Sequence, residues 1–122
     1  MESSKRVLIV DDDRDQLYML GLLLKDQNYE VVEAISGQTG LEILKDTPVD
    51  LVVTDITMPG MDGIEFAGLL KKMKGNERTP VVLVTAGREA VDFSSRPFRV
   101  EGFCLKKDIY RNLVPSIRSL LC

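Results

Sequence analysis

Short apolar runs alternate with amphipathic stretches along the whole chain. The run at 6–10 and the central run at 51–53 are continuous and rich in β-branched residues. Runs of this kind are typical of strands that are buried on both faces of a sheet. Three further runs have the length and composition of strands, at 30–34, 80–84 and 103–105. The pattern therefore predicts five strands.

Between these runs, apolar residues recur at the spacing of a helix. Helices are predicted from 14 to about 27, after Ser36, from 63 to about 74, and from 109 to the end. Pro115 lies inside the last of these and is expected to kink the helix or restart it. Residues 88–101 lack a long amphipathic pattern, so at most one or two helical turns are predicted there, at 89–93.

This alternation predicts an α/β fold of a single domain, with one parallel, doubly wound sheet and helices on both faces. Right-handed crossovers leave few possible topologies. In such a sheet the carboxyl ends of the strands share one edge, where ligands bind. The residues that the predicted strands deliver to this edge are polar: Asp11, Asp12, Asp13, Asp55, Thr85 and Lys106.

Composition narrows the possible functions. The chain has 122 residues, a net charge of -3 and no histidine. The charge argues against a general nucleic-acid surface, and the absence of histidine excludes histidine-based zinc sites, Ser/His or Cys/His nucleophile pairs and a phosphohistidine donor. No apolar run is long enough to span a membrane, and the amino terminus has no signal-peptide layout, so we expect a cytoplasmic protein with no membrane partner. Cys104 is expected to be a small core residue.

The polar edge has a chemical logic. Crowded carboxylates repel one another, so the cluster is costly unless a cation lies among them or some of them bind protons. Oxygen ligands without histidine or cysteine select a hard cation such as Mg²⁺. Lys106 and Thr85 beside a metal-loaded carboxylate would suit a phosphoryl group, with Asp55 as the nucleophile that forms an aspartyl phosphate. Taken alone, Asp55 could equally be a residue that begins a turn.

These residues together match a known family. Val10-Asp11-Asp12, Asp55 with Met58-Pro59 and Met61-Asp62-Gly63, Thr85-Ala86 and Lys106 resemble the response-regulator receiver domain of two-component signalling. The resemblance covers essentially the whole chain, 1–122, in order and at the family's spacings. It implies the flavodoxin-like receiver fold, a five-stranded sheet of order 2-1-3-4-5.

The resemblance also implies roles for individual residues. Asp55 would accept a phosphoryl group from a histidine kinase. Asp12 and Asp55 would coordinate Mg²⁺ directly together with the backbone carbonyl of Thr57, while Asp11 would reach the metal through water. The implied chemistry is self-phosphorylation and self-dephosphorylation at Asp55, with no other enzymatic activity.

The implied switch involves three residues. Thr85 would bond the phosphoryl oxygen, Lys106 would form an ion pair with it, and Phe103 matches the switch aromatic that turns inward behind the threonine. The charge of the phosphoryl group would shift an equilibrium between two conformations of the receiver. The surface that changes would be formed by the family's fourth helix, fifth strand and fifth helix. The partners would be a sensor histidine kinase or phosphotransfer protein and a downstream effector, with no direct nucleic-acid contact. The chain would be a monomer or a weak dimer.

The chain departs from the family pattern in two places. Lys107 stands where the family usually has a proline after a cis peptide bond, so either a trans bond with a reshaped loop or a strained cis bond is expected. The family's fourth helix falls in 88–101, where the pattern is weak. By the resemblance, Thr57 and Gly87 fall at positions that tune dephosphorylation in the family. Gly87 has no side chain to screen the phosphoryl group, so a moderately short lifetime of the phosphorylated form is expected.

Two alternatives come from other functional classes. The first is a degenerate receiver that acts as a phosphorylation-independent interaction module, and it is suggested by Lys107 and the weak fourth helix. The second is a haloacid-dehalogenase-type phosphatase, because three aspartates follow the first strand. Such enzymes are larger, and Asp15 stands where their motif has Thr or Val.

Overall fold

The computed structural model describes residues 4–86 and 98–121. Its centre is a parallel sheet of five strands in the order β2-β1-β3-β4-β5, which confirms the expected topology. The strand bounds are β1 Arg6–Val10, β2 Glu30–Ala34, β3 Leu51–Asp55, β4 Val81–Thr85 and β5 Gly102–Leu105.

Four α-helices lie within the described ranges. They are α1 Arg14–Asp26, α2 Gly37–Asp46, α3 Gly63–Lys71 and α4 Ile109–Leu121, the last preceded by a 3-10 turn at Lys106–Asp108. Gly87 and the turns predicted at 89–93 lie outside the described residues. The helix named α4 here therefore corresponds to the family's fifth helix.

The sheet separates two apolar cores because side chains alternate between its faces. On β1, Val7 and Ile9 face the side that α1 and α4 cover, while Leu8 and Val10 face α2 and α3. All four side chains are buried. Cys104 is buried in the first of these cores, as predicted. With both faces covered, the functional groups have to lie at the edge of the sheet.

Polar side chains begin the helices that leave this edge. The carboxylate of Asp13 accepts hydrogen bonds from the backbone N–H groups of Asp15 and Gln16, and Asp62 accepts one from Glu65. Ser36 caps α2 in the same manner. Such caps satisfy N–H groups that have no partner inside the helix. They fix where each chain segment turns away from the site.

Two local expectations differ in part from the structure. Helix α3 ends at Lys71 rather than near residue 74. Of the two effects expected of Pro115, a restart does not occur, because α4 is continuous from Ile109 to Leu121. Pro115 is exposed, and so is Arg111, whose carbonyl loses its helical partner at a proline four residues later.

The chain enters β5 along an anchored path. The ring of Phe98 lies against Gly68, where an added Cβ atom would come within 2.9 Å of the ring. Glu101 then forms an ion pair with Lys71, at 2.9 Å, and accepts a hydrogen bond from the backbone N–H of Val81 at 2.8 Å. Both charged side chains are largely buried. These contacts tie the start of β5 to α3 and β4.

No helix in the described part of the chain has the length and apolar character that crossing a membrane requires.

Candidate functional site

Two neighbouring strands bring three carboxylates together. Asp55 is the last residue of β3, and Asp11 and Asp12 directly follow β1, its neighbour in the sheet. One oxygen from each carboxylate lies within 4.8 Å of the others. Asp11 and Asp55 are buried, whereas Asp12 is exposed. The predicted convergence of these carboxylates is confirmed.

Lys106 reaches this cluster from the edge strand. It directly follows β5, which lies two strands away from β3. Its ammonium nitrogen lies 3.2 Å from Oδ2 of Asp55, to which it donates a hydrogen bond, and 3.9 Å from Oδ2 of Asp11. None of the described peptide bonds is cis, so the Lys106–Lys107 bond is trans, the first of the two expected outcomes. A proline is not needed here to direct Lys106 towards Asp55.

The site raises the pKa values of Asp11, Asp55 and Lys106. Burial raises the pKa of Asp11 to about 6, although the N–H of Asp13 donates to its carboxylate and lowers the pKa in part. Burial also raises the pKa of Asp55, against the opposing effect of Lys106. The pKa of Lys106 itself is raised, because the attraction of Asp11 and Asp55 outweighs the lowering effect of burial. Burial thus makes the ionised forms of Asp11 and Asp55 less favourable than they are in water.

The backbone around Asp55 is also held in place. The backbone N–H of Thr57 bonds the carboxylate of Asp55. The hydroxyl of Thr54, which is completely buried, donates to the carbonyl oxygen of Asp55 at 3.0 Å. A Cβ atom on Gly63 would lie 2.0 Å from the same oxygen, so only glycine fits there. These roles of Thr54 and Gly63 were not predicted from the sequence. The one available sign was the hydroxyl of Thr54 among the aliphatic residues of β3.

The remaining predicted residues also lie along β4, β5 and the loop after β3. Thr85 is the last residue of β4, is buried, and is paired in register with Leu105, the residue before Lys106. Phe103 lies on β5 and is 45% exposed. Thr57 follows Asp55 in the loop towards α3. The switching roles of Thr85 and Phe103, and the metal contact of the Thr57 carbonyl, stay predictions.

The carboxylate cluster fits a hard divalent cation. Its candidate ligands are all oxygens, two of them on buried side chains with raised pKa values. A cation among them would favour the ionised carboxylates and so oppose the effect of burial on those pKa values. Mg²⁺ prefers oxygen ligands and keeps several waters, which the exposed position of Asp12 allows. The residues present therefore suit such a metal.

Comparison with known families decides the classification. Residues 7–109 match the response regulator receiver domain. The chain belongs to this family. It is 34% identical to the transcriptional regulatory protein CpxR of Escherichia coli, over 95% of this chain and 49% of that protein. It is 33% identical to the response regulator GtcR of Aneurinibacillus migulanus, over 78% of this chain and 43% of that protein. The receiver therefore spans less than half the length of these two relatives.

Solved structures of receivers superimpose closely on this one. The chemotaxis protein CheY4 of Vibrio cholerae has a TM-score of 0.88 at 25% identity, covering 97% of this chain and 99% of that chain. The response regulator TrrA of Thermotoga maritima, in complex with Mg²⁺-BeF, has a TM-score of 0.84 at 30% identity, covering 96% and 99%. The receiver fold expected from the sequence is confirmed.

Proposed function

We propose that this receiver accepts a phosphoryl group on the carboxylate of Asp55. The observation that carries the proposal is the burial of Asp55 between the carboxylates of Asp11 and Asp12 and the ammonium of Lys106, 3.2 Å away. A carboxylate nucleophile needs cationic groups beside it to neutralise the charge that develops as the phosphoryl group is transferred. Lys106 supplies one such group from this chain.

The second cationic group would be Mg²⁺, held by Asp12, Asp55 and the backbone carbonyl of Thr57, with Asp11 contributing through a water. When bound, it would polarise the phosphoryl oxygens and balance their charge. The complex of the Thermotoga maritima relative with Mg²⁺-BeF supports this choice of metal. The raised pKa values of Asp11 and Asp55 support a site that favours an added cation.

Phosphorylation would then act on the surface beside the site. Lys106 would pair with the phosphoryl group and Thr85 would bond one of its oxygens, which favours the conformation in which both contacts form. Phe103 would turn inward behind Thr85. The surface that changes would include β5 and α4, where Phe103 is 45% and Tyr110 58% exposed. Exposed aromatic residues suit contact with a downstream effector.

The phosphoryl donor would lie outside these 122 residues. They contain no histidine, so the phosphohistidine would come from a sensor histidine kinase or a phosphotransfer protein. We propose that the receiver works in the cytoplasm as a monomer or weak dimer and has no direct contact with nucleic acid.

The decisive experiment is incubation with acetyl phosphate and Mg²⁺ followed by intact-mass spectrometry. We expect an increment of about 80 Da, one phosphoryl group. Asp55→Asn should abolish the increment. Asp15→Asn, the same chemical change at an acidic residue of the first turn of α1, should retain it.

The alternative, a receiver that binds partners without phosphate, is suggested by Lys107 at the family's usual proline position. It would be supported if the wild-type protein gained no mass under these conditions while remaining folded. An increment that persisted in Asp55→Asn would instead contradict the assignment of the acceptor.

A further inference from the structure

The backbone carbonyl of Asp55 is held as firmly as its carboxylate. The hydroxyl of Thr54 donates to this carbonyl oxygen at 3.0 Å. From the other side, Gly63 approaches so closely that a Cβ atom built on it would lie 2.0 Å from the oxygen. The hydrogen of Gly63 that replaces Cβ therefore points at the carbonyl oxygen, a weak C–H···O contact.

The same peptide unit is fixed at its nitrogen. The N–H of Ile56 donates to the carbonyl of Val84 on β4 at 2.9 Å, and the carbonyl of Ile56 accepts from the N–H of Gly63 at 2.8 Å. The peptide between Asp55 and Ile56 is thus held at its oxygen by Thr54 and Gly63 and at its nitrogen by β4. Since its plane determines the path of the chain beyond Asp55, it also determines where the N–H of Thr57 meets the carboxylate.

Among these contacts, the hydroxyl of Thr54 is the one that the fold does not require. The other core residues of β3 are aliphatic: Leu51, Val52 and Val53. Valine would fill the position of Thr54 with nearly the same shape, and a completely buried hydroxyl is costly without a partner. The structure gives this hydroxyl a partner at the phosphoacceptor itself.

We propose that Thr54 is a positioning residue for phosphoryl transfer. Its hydroxyl orients the Asp55–Ile56 peptide, and through that peptide it aligns the Asp55 carboxylate for in-line attack. The inference rests on the proposed role of Asp55 as acceptor. It adds a residue that touches neither the metal nor the phosphoryl group and acts only through the backbone.

The test compares Thr54→Val, which removes the hydroxyl, with Thr54→Ser, which keeps it. Phosphorylation by acetyl phosphate is followed at saturating Mg²⁺ over a range of donor concentrations. We expect the maximal rate constant of Thr54→Val to fall about tenfold, as for a small misalignment of reacting groups. The donor concentration at half-maximal rate should stay within about twofold, and Thr54→Ser should restore most of the rate.

Thr79→Val provides the matched control. Thr79 is also buried, and its hydroxyl donates to Asn76 at 3.0 Å near the opposite end of β4. We expect Thr79→Val to lower the free energy of unfolding and to leave the rate constant unchanged. Equal rates for Thr54→Val and wild type, or the same loss in Thr79→Val and Thr54→Val, would overturn the positioning role. Failure of the wild-type protein itself to take up a phosphoryl group would count against the proposed acceptor instead, so the two results are distinguishable.

Discussion

The ammonium nitrogen of Lys106 lies 3.2 Å from Oδ2 of Asp55, and the same nitrogen lies 3.9 Å from Oδ2 of Asp11. One lysine from the edge strand thus faces two buried carboxylates from the middle of the sheet. Lys106 lowers the pKa of both acids, but burial outweighs this effect and both pKa values are raised. Among the described residues, Lys106 is the cationic side chain that pairs with both of these carboxylates.

Removing the Lys106 side chain should take away a positive charge and make the carboxyl group of Asp55 harder to ionise. In Lys106→Met, the pKa of Asp55 should rise further, because the attraction and the hydrogen bond that favour its ionised form are lost. Carboxyl carbon NMR titration in the presence of a chelator measures this directly. Lys107→Met, at the exposed neighbouring residue, should leave the pKa of Asp55 close to that of the wild type. A titration of Asp55 unchanged in Lys106→Met would contradict the ion pair.

The raised pKa of Asp11 predicts how stability depends on pH. The folded pKa is about 6, above the ordinary value of 3.8, so the folded protein binds this proton more tightly than the unfolded chain does. The contribution of this proton to the free energy of unfolding is fully present below about pH 4 and is lost as the pH rises through about 6. In urea unfolding with a chelator present, Asp11→Asn should remove this part of the pH dependence. At pH 7 the variant should be more stable than wild type by up to about 3 kcal/mol.

An unchanged pH profile in Asp11→Asn would show that other groups cause the dependence. Asp15→Asn serves as the control, since Asp15 is exposed and lies in the first turn of α1.

Magnesium should stabilise the folded protein through the carboxylate cluster. We expect the free energy of unfolding at pH 7 to rise with Mg²⁺ concentration, by about 2.7 kcal/mol at one hundred times the dissociation constant. In Asp12→Asn the gain at the same Mg²⁺ concentration should be smaller, because one of the three candidate ligands is lost. Thermal or urea unfolding with and without the metal provides the measurement. Equal gains in wild type and Asp12→Asn would exclude Asp12 as a ligand.

The buried pair of Lys71 and Glu101 should be important for stability. In Lys71→Met, Glu101 keeps its hydrogen bond from Val81 but loses its counter-ion, at 2.9 Å, in a largely buried position. Breaking such a pair costs roughly 3 kcal/mol or more. Urea unfolding should show this loss, whereas Lys45→Met, at an exposed pair with Glu42, should change stability by less than about 1 kcal/mol. Restoration of stability in the double variant Lys71→Met, Glu101→Gln would support the charge as the cause.

Much of the fold follows from local pattern in the sequence. The runs at 6–10 and 30–34 match β1 and β2 to the residue. Both are short and contain adjacent valine or isoleucine residues, which is typical of strands. The site followed from the same pattern, since parallel strands have to deliver their polar ends to one edge. Asp11, Asp12, Asp55 and Lys106 meet there for that reason.

What the pattern could not give depends on contacts between distant parts of the chain. The end of α3 at Lys71 is associated with the ion pair to Glu101, thirty positions along the chain. The need for glycine at 63 arises from the carbonyl of Asp55, which periodicity cannot reveal. The unbroken helix through Pro115 depends on which side of the helix faces solvent. Each of these features depends on tertiary contacts that the local sequence indicates only weakly.

Gly68 has no side chain, and the ring of Phe98 packs against helix α3 at this residue. Glycine in the middle of a helix is usually about 1 kcal/mol less favourable than alanine, so the helix itself gains nothing from this residue. The contact instead fixes the position of Phe98, and the chain runs from there into β5. The segment that carries Lys106 into the site is thus aligned well before it reaches the site.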